Sequence, residues 1–154
     1  MDKKKPIKRD PNLQPLSRDH HHTLLLCWKI RKGFSKNIEV GRIKAYTDWF
    51  FENHVLPHFK IEEKYLFPVL GEEDAMVKKA LAEHRRLKRL FREEKDVEKS
   101  LNLIEEELDQ HVRFEERELF GRIQAAATAE QLAFIKQHHT EAQFEENTRD
   151  EFWN

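Results

Sequence analysis

The sequence predicts an all-α protein: an up-down-up-down antiparallel four-helix bundle with an additional C-terminal helix. Three observations carry this reading. Charged residues (37%) and hydrophobic residues (38%) are balanced while glycines (4) and prolines (5) are few, which is the composition of amphipathic helices rather than of turn-rich β structure. No stretch alternates apolar and polar residues in the manner of a half-buried strand. Four segments of three turns or more carry apolar residues at helical spacing and are joined by short connections, for which an antiparallel bundle is the default packing.

The elements follow in order. Residues 1–15 hold Pro6, Pro11 and Pro15 among several charges and read as a flexible arm. Residues 16–148 read as the bundle and 149–154 as a tail. A first helix is expected from Ser17, ended by Gly33. Asn37 is placed to cap a second helix running to Phe67, kinked at Pro57 by the missing backbone donor and stopped by Pro68 and Gly71. The third helix is expected over 72–95 and the fourth over 100–124. Thr128 followed by Gln131 has the form of a capping box, predicting a fifth helix over 129–146.

Composition also bounds function. A formal net charge of −1 points to neither nucleic acid nor an anionic membrane as partner. The basic first ten residues are not followed by an apolar core, so no secretory signal is expected. The longest uncharged run, His20 to Trp28, is too short to span a bilayer. Cys27 is the single cysteine, which excludes an internal disulfide and fits a reducing cytoplasm.

Nine histidines are the unusual feature, and the chemistry lies in an internal repeat that contains two of them. Residues 58–67 and 111–120 agree at His58 and His111, Glu62 and Glu115, Glu63 and Glu116, Leu66 and Leu119, and Phe67 and Phe120. Apolar residues precede both segments, Val55 with Phe51 and Leu108 with Ile104. A fainter echo relates Leu16, Asp19 and His20 to Ala80, Glu83 and His84. Residues i and i+4 share a helix face, so His58 with Glu62, and His111 with Glu115, aim at one interior point. Two buried carboxylates repel unless positive charge lies between them. Arginines would serve, but the inward faces offer few basic residues, which favours metal.

The other two helices each supply an imidazole. At about 100° per residue, His20 shares a face with Leu16, Leu24, Cys27 and Phe34, whereas His22 falls among charges and His21 at the edge, leaving His21 as the alternative. His84 shares a face with Ala80, Leu87 and Phe91. The expected metal set is therefore His20, His58, Glu62, His84, His111 and Glu115. Mixed imidazole and carboxylate donors for two ions suit iron or manganese, with zinc possible. Both carboxylates are then free to bridge, and room remains for an oxo or hydroxo bridge and a small exogenous ligand.

Other residues receive plainer expectations. His54 is read as packing beside the site, and Glu63 and Glu116, about 100° off the ligand line, as solvated. Tyr65 and Glu118 are placed near the site. His138 and His139 are expected at the surface, and Cys27, Trp28, Trp49 and Phe51 in the core or bundle seams. The basic run at 85–92 is read as a solvated face.

Over residues 16–124 this pattern resembles the hemerythrin-like family of HHE cation-binding domains, in its four-histidine, two-carboxylate branch. The resemblance rests on Asp19 with His20, on His58, Glu62 and Glu63 with the following Leu66, Phe67 and Pro68, on Glu83 with His84, and on His111 with Glu115. It implies a non-haem di-iron centre and the binding or sensing of dioxygen or nitric oxide. Some relatives handle iron or help repair iron–sulfur clusters. Oxygen-carrying members place a further histidine one turn after the third-helix ligand, where this chain has Lys88. Three functions are thus distinguished: a di-iron binding module for diatomic ligands or iron, a di-iron redox enzyme acting on peroxide or nitric oxide, and a metal-free interaction bundle.

Overall fold

A computed structural model of the chain describes residues 8–139 and 143–154. Residues 1–7 of the predicted arm and 140–142 of the predicted last helix therefore lie outside the described residues. Among the described residues there are helices and no strand. Helix α1 spans Gln14–Ser35, α2 residues 40–66, α3 Ala75–Phe91, α4 residues 97–126, and α5 Ala129–His138.

The boundaries differ from expectation where side chains found better uses. Gly33 does not end α1. It lies inside the helix, at a point where a Cβ would sit 2.8 Å from both Ile43 Cδ1 and Phe152 Cε2. Asn37 does not cap α2; it takes a left-handed backbone (φ 56°) just past the end of α1, where a short polar side chain is tolerated. Asp74 rather than residue 72 opens α3, its carboxylate accepting from the Met76 and Val77 N–H groups. The capping box of α5 is present, with Thr128 and Gln131 bonding reciprocally. That helix stops at His138, because His139 turns to extended backbone (φ −82°, ψ 126°).

Three one-turn π segments interrupt the α pattern. One, Phe51–Val55, precedes Pro57 and takes up the disturbance that proline makes in the helical ladder. The other two, Glu62–Leu66 and Glu115–Leu119, each begin at a repeated glutamate. In these the Phe67 and Phe120 N–H groups donate to the Glu62 and Glu115 carbonyls.

The core has two apolar ends and a polar waist. One cluster gathers Leu26 and Ile30 of α1, Phe50 and Phe59 of α2, Leu87 and Phe91 of α3, and Leu101 and Leu108 of α4. The other gathers Leu16, Leu66 and Phe67, Val77 and Ala80, and Leu119 and Phe120. Alternate helices meet the clusters in opposite chain order, as up-down-up-down topology requires. Each fully buried aliphatic or aromatic side chain contributes about 1.5–3 kcal/mol, which sets what the polar waist must be weighed against. Residues 149–154, expected as a tail, fold back: Phe152 is 1% exposed within the first cluster. Glu146 before it bonds both Lys29 and Tyr46. Trp28, expected in the core or a bundle seam, is 44% exposed.

Candidate metal centre

The waist is where the six sequence-predicted side chains meet. His20, His58, Glu62, His84, His111 and Glu115 are all buried, the two glutamates completely. They form two groups, each drawing its ligand atoms within 4.8 Å of one another: His20, His58, Glu62 and Glu115, and Glu62, His84, His111 and Glu115. Both glutamates belong to both groups. Distances across the space are short: His20 Nε2 to Glu115 Oε1 3.1 Å, His58 Nε2 to Glu62 Oε2 3.2 Å, His84 Nε2 to Glu62 Oε1 3.1 Å, and His111 Nε2 to Glu115 Oε1 3.0 Å. His20 and His58 bring their Nε2 atoms within 3.0 Å of each other. On α1 His20 is buried at the waist, whereas His21 is exposed.

The outward nitrogens explain the rest of the repeat. His58 Nδ1 donates to Asp19 at 2.9 Å, His84 Nδ1 to Glu63 at 2.7 Å, His111 Nδ1 to Glu83 at 2.7 Å, and His20 Nδ1 to Glu116 at 3.0 Å. The bonds run round the bundle, α1 to α2, α2 to α3, α3 to α4 and α4 to α1. Glu63 and Glu116 were expected to be solvated; this is corrected, since each reaches sideways to the imidazole of the neighbouring helix. Tyr65 does not face the centre but packs on Phe134 and His138, and Glu118 is exposed. His139, expected at the surface, is corrected too: its side chain is 9% exposed and its Nε2 lies 2.8 Å from Asp19 Oδ2. His54 packs between Trp49 and Phe144, as expected. Lys88 places its ammonium 3.8 Å from Glu63.

Tying Nδ1–H outward leaves each Nε2 with its lone pair inward. Glu62 Oε1 and Oε2, Glu115 Oε2, His84 Nε2 and His111 Nε2 are buried with no hydrogen-bond partner among the described residues. The waist is therefore lined by acceptors that lack donors, a costly arrangement unless a cation is shared among them. In the metal-free chain protons take that place. Burial and the neighbouring Glu115 charge push Glu62 up to about 8. Burial alone would lower His111, but the Glu115 carboxylate outweighs it and raises it to about 10. His84 and His20 are raised for the same reason, carboxylate contacts exceeding the cost of burial. Ring packing holds the imidazoles in place, with Phe59 stacked on His84 at 3.7 Å and Phe120 on His20 at 5.1 Å between centroids.

A cavity of about 700 Å³ adjoins the outer side of His58 and Asp19, lined also by His22, His54, His139 and Phe144. No helix among the described residues is long and apolar enough to cross a membrane.

The family comparison agrees with this geometry. No curated protein and no solved structure matches the chain. The model of the hemerythrin HHE cation binding domain matches residues 13–97, which include His20, His58, Glu62 and His84; the α4 pair, His111 and Glu115, falls beyond the matched span and is brought to the same point by the fold. With over half its length matched and a buried histidine–glutamate cluster at its waist, the chain belongs to the hemerythrin HHE cation-binding domain family.

Proposed function

We propose that the chain is a non-haem di-iron binding protein. One ion would be held by His20 and His58 and the other by His84 and His111, with Glu62 and Glu115 belonging to both groups. The observation that carries this reading is a waist rich in acceptors: four inward imidazole nitrogens and two carboxylates, every Nδ1 committed outward, with both Glu62 oxygens, Glu115 Oε2, His84 Nε2 and His111 Nε2 lacking a partner among the described residues. Imidazole and carboxylate together suit iron, with manganese or zinc as competitors. When bound, a pair of iron ions supplies one-electron redox chemistry and positions for a small diatomic ligand. The role is the binding or sensing of dioxygen or nitric oxide, or the handling of iron, in the cytoplasm.

Lys88 bears on which of these holds. It stands one turn after His84 and is engaged with Glu63, so no further imidazole comes from α3. The reduced, iron-loaded protein is therefore expected to be oxidised by dioxygen rather than to carry it reversibly, and to take up nitric oxide. Metal analysis of iron-loaded protein tests the centre, with two ions per chain expected. Stopped-flow absorption after mixing with each gas tests the role. Return of the ferrous spectrum under vacuum after dioxygen would make the protein an oxygen carrier instead.

A further inference from the structure

Each outer carboxylate has a companion besides its histidine, and one companion is unlike the others. Glu116 is joined by Arg9, Glu83 by Lys79, and Glu63 by Lys88. Asp19 is joined by a second imidazole. Its Oδ2 accepts from His58 Nδ1 at 2.9 Å and from His139 Nε2 at 2.8 Å. His139 lies just past α5, outside the four repeated helices, and the extended backbone that ends α5 is what delivers it. Its Nδ1 is buried with no hydrogen-bond partner among the described residues. In the repeat the counterpart of Asp19 is Glu83, whose companion Lys79 is 52% exposed. The two halves of the centre thus match in their inward residues and differ in what stands behind them.

We propose that His139 is a positioning residue for the ion position built from His20 and His58. It acts through Asp19 and makes that position unlike the one built from His84 and His111. The inference rests on the metal-centre reading above. Two N–H donors converging on one carboxylate oxygen leave Asp19 a single orientation, and Asp19 in turn fixes the ring plane and tautomer of His58. Such outer partners are worth roughly 10–100-fold in metal affinity. Lys79 braces Glu83 less firmly: its half-exposed ammonium, over the face of Phe114, stands on a flexible stem and not in a rigid ring. Free imidazole fits readily in the cavity beside Asp19 and His139, which makes chemical rescue feasible.

The test is cobalt(II) titration of the full chain followed by its visible absorption, on wild type, His139→Ala, His139→Gln, His139→Gly and Lys79→Ala. Wild type should bind two ions. His139→Ala should weaken one of them by roughly 10-fold or more and change its absorption, while leaving the other within about 2-fold. The weakened ion should be the one lost in His58→Ala. His139→Gln should recover part of the affinity, since its amide can donate to Asp19, and imidazole should restore His139→Gly. Lys79→Ala should leave both ions as in wild type. Equal weakening of both ions, or failure of both the Gln variant and imidazole to restore the affected one, would reduce His139 to a packing residue and overturn the proposal. Wild type binding two ions with all His139 variants unchanged overturns this inference alone; wild type binding no cobalt overturns the metal-centre reading and this inference with it.

Discussion

Four imidazoles whose Nδ1 atoms all face carboxylates can offer only Nε2 to the interior, and two shared glutamates complete both halves of the waist. Removing one shared ligand should therefore empty both positions: Glu62→Ala is expected to lower bound metal to well under one ion per chain, measured by elemental analysis. His20→Ala should deplete one position, while His21→Ala, at an exposed site, should leave the content at two. Loss of metal in His21→Ala with none in His20→Ala would refute the inward assignment on α1. The inward set was legible in sequence because i to i+4 spacing maps directly onto one helix face. The outer carboxylates were not. On one helix, 100° from the ligand line looks like solvent, and only the neighbouring helix turns that direction into a contact. The signal was present all the same: an acidic residue beside a histidine or glutamate ligand on each of the four helices, Asp19, Glu63, Glu83 and Glu116.

At the scale of the element, helix identity was readable from apolar periodicity, and the ends were less so. Asp74 and Asn37 act through the backbone geometry of a single residue, which periodicity does not encode. The place of His139 depends on a contact 120 residues distant, with Asp19. Gly33 illustrates the same limit. It reads as a helix stop, yet its role is to admit the Phe152 ring and the Ile43 side chain from two other parts of the chain. Gly33→Ala gains helix propensity of up to about 1 kcal/mol. Overpacking against two buried side chains costs about 1–3 kcal/mol. A net destabilisation on the order of 1 kcal/mol is expected in chemical denaturation. In a Phe152→Ala background the same change should become neutral or stabilising, because half of the collision is gone. An equal penalty in both backgrounds would show that Phe152 is not what excludes the Cβ.

At the scale of the whole molecule, the waist couples folding to protons and to metal. The ligands come from four helices, so the centre does not exist in the unfolded chain, and metal binding adds to folding stability. In the metal-free chain Glu62 keeps its proton up to about 8, against a usual value of 4.5. His111 keeps its proton up to about 10, against 6.5. In both cases the folded state binds a proton that the unfolded state has already released. This stabilisation is fully present below the unfolded value and is lost as pH rises, from 4.5 to 8 for Glu62 and from 6.5 to 10 for His111. Glu115 is lowered, burial being outweighed by His111 and His20, and its opposite contribution is lost only on acidification below 4.5. The melting temperature of metal-free protein should therefore fall steadily from pH 5.5 to pH 8.5. Metal ions displace these protons and hold the carboxylates charged, so the loaded protein should show a flatter profile, and the gap between the two forms should widen as pH rises. Calorimetry at three pH values on both forms measures this directly. Titration in buffers of different ionisation enthalpy should also show protons released on metal binding, more at pH 7 than at pH 9. Parallel profiles with no proton release would place any bound metal away from Glu62 and His111.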